Sequence, residues 1–328
     1  MKEAILYKKN PDGTVNCLLC NRFCKIPKGN TGFCGVRKNI SGSLYSINYG
    51  KAIALALDPI EKKPFYHFLP GAKTFSFATV GCNFRCQFCQ NWDISQQRDT
   101  IAGQDAPPER IVELAEAENS EGIAYTYTEP TIFMEYALDT AKLARKKKMF
   151  NVFVTNGYMS AQAIKEMEPV IDASRIDLKG FNPKFYSELV GGAKLEAVLS
   201  NINSLRKIMH IEIINLVIPG KNDSEDELRA LSSWVARLDK NIPVHFTGFY
   251  PSYKMMDVPP TPLETLRKAR EIGMEEGLRY VYTGNRADAE GESTYCYNCK
   301  SLLVRRSGFG VLENHLDEKA KCPECGKK

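Results

Sequence analysis

Residues 74–92 read TFSFATVGCNFRCQFCQNW, and both the fold and the chemistry turn on them. TFSFATV (74–80) is rich in aromatic and β-branched residues over the length of one strand. Cys82, Cys86 and Cys89 follow at once, spaced C-x3-C-x2-C. A strand that runs straight into a cysteine loop carries three thiols at its carboxyl end, where parallel α/β folds place their sites. A closed zinc site takes four protein ligands, and so does an iron–sulfur cube held wholly by protein. Three ligands leave one metal position free for chemistry. The blander reading of the trio is a zinc knuckle that borrows its fourth ligand from a distant segment.

Working outward, apolar strand candidates alternate with helical segments. The strands are GIAYTYT (122–128), FNVFVT (150–155), SRIDL (174–178), IEIINLVI (211–218), PVHFTGF (243–249) and RYVYT (279–283). Phe133, Tyr136, Ala137, Ala141 and Ala144 share one face of a helix at 131–147, and Leu228, Leu231, Val235 and Leu238 do so at 225–239. Ser224 and Glu227 form a capping-box pair, and a helix at 262–276 opens with Thr261 as its cap and Pro262 at its first position. Near-continuous apolar strands separated by helices specify a parallel sheet covered by helices. The expected fold class is α/β, a partial (β/α)6-type barrel, with a doubly wound sheet as the alternative. The lysine run at 146–148 reads as a solvated helix end.

The chain has 328 residues, 43% hydrophobic and 25% charged, which is the balance of a folded globular protein. No apolar run approaches the roughly 18–20 residues of a membrane helix, and MKEAILYKKNPDG is too polar for a signal peptide. A cytoplasmic protein without membrane contact is expected. Its eleven cysteines fall in three groups, with none between residues 90 and 295. In a reducing compartment such clusters point to metal. The formal charge of +5 counts all thiols as neutral. Eleven metal-bound thiolates subtract eleven charges, and one four-iron core with two zinc ions returns six. The apparent basicity then vanishes and argues for no nucleic-acid partner.

Cys296, Cys299, Cys322 and Cys325 form CYNC-x22-CPEC, a zinc-ribbon signature around LLVRR and GFGVLENHL, which suit a β-hairpin. Four thiolates close the coordination sphere, so this Zn2+ site is structural. Cys17, Cys20, Cys24 and Cys34 offer four more ligands in an 18-residue loop, for zinc or an auxiliary iron–sulfur cluster. Three parts are expected: a Cys-rich extension (1–70), the barrel (71–290) and a ribbon tail (291–328).

The trio, with Phe88 before its last cysteine, resembles the radical S-adenosylmethionine (SAM) superfamily. The resemblance implies a [4Fe–4S] cluster on Cys82, Cys86 and Cys89 whose fourth iron binds SAM, reductive SAM cleavage to a 5′-deoxyadenosyl radical, and hydrogen abstraction from a substrate. YTEPT (127–131) stands where the superfamily has a Gly-Gly-Glu-Pro-like motif, so Glu129 takes the SAM ammonium, although Tyr127 and Thr128 replace the glycines. By the same resemblance Asn156 of TNG, Asp177 and Lys179 of DLKG, and His245 of HFTG contribute to SAM binding, and Ile218 packs on the adenine. Val154 occupies a place where activases often have an Asp. A core histidine is the plainer reading of His245, and a capping turn that of VIPGKND. The matching stretches DPIEKKPFYHFLPG (58–71), GCNFRCQFCQNWDIS (81–95), YTEPTIF, VTNGY, RIDLKGF and IPGKND resemble the AmmeMemoRadiSam branch, homologues of pyruvate-formate-lyase-activating enzymes. That implies an electron donor such as flavodoxin or ferredoxin, a protein or other macromolecular substrate, and Memo-like and AMMECR1-like proteins as pathway partners. Two other classes stand beside the enzyme. One is a zinc-organised adaptor for nucleic acid or protein, with Arg305, Arg306 and Phe309 as its thin basic–aromatic patch. The other is an iron–sulfur carrier indifferent to SAM.

Overall fold

The computed structural model describes residues 1–97 and 100–327. Its centre is an eight-stranded sheet. The strands are β1 (Ala54–Pro59), β2 (Lys73–Ala78), β3 (Gly122–Tyr125), β4 (Phe150–Thr155), β5 (Ala173–Asp177), β6 (His210–Val217), β7 (Val244–Gly248) and β8 (Val281–Gly284). They lie in chain order across the sheet, β2 to β8 all parallel and β1 antiparallel to β2. The seven expected parallel strands are all present. Among the described residues β1 and β8 are not paired with each other, so the sheet is open. β1 falls within the segment read as extension: Ala54 to Pro59 pair residue for residue with Ala78 to Lys73.

Helices α1 (Pro108–Ala117), α2 (Met134–Lys146), α3 (Ala161–Met167), α4 (Pro183–Glu188), α5 (Leu195–Leu205), α6 (Glu225–Leu238) and α7 (Leu263–Glu275) fill the crossovers. β4 is buried at five of its six positions, as a central parallel strand must be. The predicted stripe of α2 is wholly buried, and a 3-10 turn at Pro130–Phe133 forms its first residues. Ser224 caps α6 by accepting from Glu227 N at 3.3 Å, but the box is open: Glu227 Oε1 accepts from Phe181 N at 2.7 Å instead. Thr261 is not the cap of α7. Its hydroxyl donates to Val217 O at 2.6 Å and accepts from Phe249 N at 2.8 Å, tying the ends of β6 and β7 together. Lys146, Lys147 and Lys148 are exposed, as expected.

The tail forms a three-stranded antiparallel sheet, β9 (Thr294–Tyr295), β10 (Leu302–Ser307) and β11 (Gly310–Asn314), including the hairpin read from the sequence. It is docked on the main sheet by Arg306, 1% exposed, which donates to Tyr66 O at 2.8 Å and Thr294 Oγ1 at 2.7 Å. That residue is therefore unavailable to nucleic acid, and Arg305 pairs with Glu313, so the basic patch of the adaptor reading dissolves.

Candidate active site at the cysteine loop

A cleft of about 410 Å³ opens at the carboxyl ends of the parallel strands. Side chains two apart on a strand share a face, so Val154 and Asn156, Arg175 and Asp177, and Ile214 and Leu216 all reach it. Cys82, Cys86 and Cys89 form one wall. Gly81 starts their loop at φ +95°, and a Cβ there would stand 2.6 Å from the Cys34 carbonyl oxygen. Only glycine permits the turn and the close approach of the N-terminal segment. Phe84 N donates to Cys82 Sγ at 3.3 Å, and Cys89 Sγ lies 3.2 Å from Ser95 Oγ. Phe88 lines the cleft while packing 5.7 Å from Phe185.

Burial pushes the Cys82 thiol well above its ordinary value, with nearby Glu129 and Cys86 adding to the rise. Burial also raises Cys86 to about 12 against the opposing ammonium of Lys179. Thiols held neutral in this way bind well only a centre that brings its own positive charge. Three sulfurs on one wall of an open cleft fit a cluster with one position left exposed.

Glu129 is 2% exposed and lines the same cleft. Its Oε1 accepts from Thr131 N (3.1 Å), Thr131 Oγ1 (2.6 Å) and Thr155 Oγ1 (2.7 Å), which also caps the 3-10 turn. Oε2 accepts from Asn156 N at 2.7 Å alone. Burial raises the Glu129 pKa while these donors pull it down. The less occupied oxygen is the one available to a cation. Asn156 donates from Nδ2 to Asn83 Oδ1 at 2.7 Å, joining the end of β4 to the cysteine loop. Tyr127, at φ +62°, holds the conformation glycine would take in the related motif. Its hydroxyl donates to Asp58, and its carbonyl accepts from Asn91 at 2.7 Å.

Asp177 is clamped by Arg175 and, at 2.7 Å, by Lys179 Nζ; all three line the cleft. Burial lowers Arg175 to about 9. Lys62 and Lys63 complete the wall from the segment after β1 and pair with Asp58. Sequence reading passed over Arg175, although it stands two places before Asp177 on the same strand face. Lys62 and Lys63 belong to DPIEKKPFYHFLPG (58–71), where no local pattern signals a place in the cleft. Phe309 also lines the cleft from the β10–β11 turn, and nothing local in the sequence signals that placement.

Two expected contacts stand apart. Ile218 is fully buried beyond the end of β6 and does not line the cleft; Ile214 and Leu216 are the apolar residues that β6 presents there. His245 does not line the cysteine cleft; its Nε2 lies 2.7 Å from Glu212 Oε2. Glu212 in turn accepts from the backbone of Tyr66 and His67, so this histidine belongs to a buried network under segment 60–70. His245 and the tail's Ser307–Phe309 border a second cavity of about 530 Å³, which shares Lys62, Pro64, Ile214, Thr247, Asn285 and Phe309 with the first.

In the tail, Cys296 Sγ stands 3.6 Å from Cys325 Sγ, and Cys299 Sγ 3.6 Å from Cys322 Sγ. A metal–sulfur bond of about 2.3 Å in a tetrahedron spaces thiolates about 3.8 Å apart, so the set suits one ion. Hydrogen bonds from Ser301 and backbone amides lower Cys322 to about 6. Cys17, Cys20, Cys24 and Cys34 line a separate small cavity behind the cysteine loop.

The profile of the Radical SAM superfamily matches residues 77–231, the segment carrying these strand ends. The chain is 47% identical over 332 residues to the uncharacterized protein MJ0808 of Methanocaldococcus jannaschii, covering 100% of this chain and 98% of that one. It is 24% identical over 232 residues to the pyruvate formate-lyase 1-activating enzyme of Escherichia coli, covering 65% of this chain and 93% of that enzyme. The fold is also that of SuiB from Streptococcus suis, solved with S-adenosylmethionine: TM-score 0.50 at 14% identity, over 62% of this chain and 48% of that one. The match to the Radical SAM superfamily thus covers the central segment of the chain, and the glycyl-radical-activase-like homologues stand at low identity. No helix among the described residues is long and apolar enough to cross a membrane.

Proposed function

We propose that the protein is a radical SAM enzyme whose Cys82, Cys86 and Cys89 hold a [4Fe–4S] cluster and whose cleft holds SAM beside it. The observation that carries this reading is that three cysteines, Cys86 buried and Cys82 and Cys89 half-buried, and a buried, pre-oriented Glu129 face one cleft at the strand ends. Bound there, a cluster held by Cys82, Cys86 and Cys89 would pass on one electron taken from an external donor, and SAM held at Glu129 would offer the sulfonium that this electron cleaves, which is the chemistry needed for hydrogen abstraction from a substrate. The chain's part is to hold and orient. Glu129 Oε2 accepts the SAM ammonium. Asn156 steadies the cysteine loop, while Lys179 and Asp177 provide polar contacts around the sugar and carboxylate. Ile214 and Leu216 give the adenine an apolar wall. The second cavity, which shares six lining residues with the first, admits the substrate. A protein substrate is supported by the activating-enzyme relatives, a low-potential donor of the flavodoxin or ferredoxin kind by the need for one electron, and zinc at the tail by its compact thiolates. Membership of the AmmeMemoRadiSam branch, with Memo-like and AMMECR1-like pathway partners, rests on the motif resemblance.

The test is anaerobic reconstitution with iron and sulfide, addition of dithionite and SAM, and assay of 5′-deoxyadenosine. Wild type is expected to form it and Cys86→Ala to form none. A reduced cluster in the wild type whose EPR spectrum ignores SAM, with no product, overturns the reading.

A further inference from the structure

The three cysteine groups differ in how tightly their sulfurs gather. Among the described residues, the tail quartet is the one set of three or more cysteines, histidines or carboxylates whose ligand atoms all lie within 4.8 Å of one another. That compactness is what a single tetrahedral ion requires. Cys17, Cys20, Cys24 and Cys34 surround a common cavity yet stand wider than this, as do the three cysteines of the active-site loop. An iron–sulfur cluster spreads its thiolates, because they are bonded to different irons rather than to one ion.

The surroundings of the quartet are mostly apolar, which suits a weakly hydrated group. Besides the sulfurs, Leu19, Ile26, Phe33 and Ile132 wall the cavity. Its charge is placed beside Arg37, 1% exposed, which is fixed by Ile132 O at 3.1 Å and by Glu135. The loop is held rigidly. Cys20 bridges to Met159, Asn21 Nδ2 donates to Met159 O at 2.7 Å, and Arg22 Nε donates to Asn83 O at 3.0 Å. Asn83 lines the quartet's cavity and is the neighbour of Cys82 in the chain.

We propose that Cys17, Cys20, Cys24 and Cys34 bind a second iron–sulfur cluster, not zinc, set against the active-site loop across Asn83. The inference stands on the sulfur spacing and does not depend on SAM cleavage. Its test uses the full chain lacking the active-site thiols, Cys82→Ala/Cys86→Ala/Cys89→Ala, produced with iron and zinc both available and handled without oxygen. This variant is expected to keep about two to four irons with matching sulfide per chain, a visible charge-transfer absorption, and a reduced-state EPR signal that SAM does not shift. Zinc should stay at one per chain, the tail's share. The complementary variant Cys20→Ser/Cys24→Ser should lose the same amount of iron from the wild-type total and leave zinc unchanged. Iron-free triple variant with two zinc ions per chain would overturn the proposal, and so would an iron-free variant with one zinc. Should the double variant fail to fold, the triple variant alone decides, because it leaves the quartet untouched.

Discussion

A carboxylate already held by four donors needs no reorganisation to receive a cation, which is why Glu129 matters more than its motif suggests. Glu129→Gln keeps the shape and removes the charge. A charge-assisted hydrogen bond contributes about 1.5–3 kcal/mol, so SAM affinity should fall roughly ten- to hundredfold. Cluster iron should stay at the wild-type level, and titration of the EPR shift with SAM measures both. The same scale governs acid sensitivity. Burial lowers His67 to about 4 despite the nearby Glu212 carboxylate, with His210, Arg306 and His245 assisting the shift. A histidine depressed on folding prefers to be neutral in the native state. Its contribution is complete above an ordinary value near 6.5 and is lost as pH falls towards 4. Glu212, held well below its ordinary value by His210 and His245 against its own desolvation, acts in the same direction at lower pH. The thermal midpoint should be level from pH 8 to 7 and decline from 6.5 to 4, and His67→Asn should flatten that first decline. A midpoint that rises on acidification would contradict both assignments. These residues show the limit of sequence reading. The placing of Glu129 followed from a local motif, whereas the burial of His245 on Glu212 depends on register between β6 and β7, where Ile214 lies opposite His245.

At the scale of elements, strands and helices were readable because each carries its own pattern: β4 is apolar at four of its six positions, and α2 and α6 repeat at helical spacing. What escaped was whatever a neighbour decides. β1 is a partly exposed edge strand with a weak pattern, and only pairing with β2 defines it. Thr261 has the chemistry of a cap, but a carbonyl on β6 takes its hydroxyl. The docking of the tail is of the same kind. Arg306 lies over the Tyr66 ring at 4.2 Å and 3.7 Å from Glu61, whose carboxyl burial still pushes upward. Arg306→Ala removes the cation beside that buried carboxylate and the donor to the Tyr66 carbonyl. It should cost about 3 kcal/mol in unfolding free energy and make the tail sensitive to protease while its metal is retained. Arg305→Ala, on the exposed side of the same strand, should change stability by less than about 1 kcal/mol. Equal effects of the two would show that the tail is not held through Arg306.

Across the whole molecule the tail borders the candidate active-site cleft, a relation invisible in any local stretch because it joins residues 309 and 82 through the fold. A segment of this size cannot bury enough apolar surface to order itself, so a metal ion at its four thiolates would supply the folding energy. Phe309, 51% exposed at the β10–β11 turn, then forms wall for both cavities. Removing the tail's metal should therefore be felt at the cysteine loop without touching any of its ligands. Cys299→Ser/Cys322→Ser should assemble the same iron content anaerobically as the wild type, yet lose its visible absorption in air several-fold faster, because the wall between cluster and solvent has loosened. Phe309→Ala keeps the tail's metal and removes only the ring, so it should accelerate bleaching by a smaller factor and leave zinc content unchanged. If both variants bleach at the wild-type rate, the tail does not shield the cleft, and the second cavity is open to solvent by another route. If only the metal-site variant is fast, shielding comes from the tail's backbone rather than from the aromatic side chain at its tip.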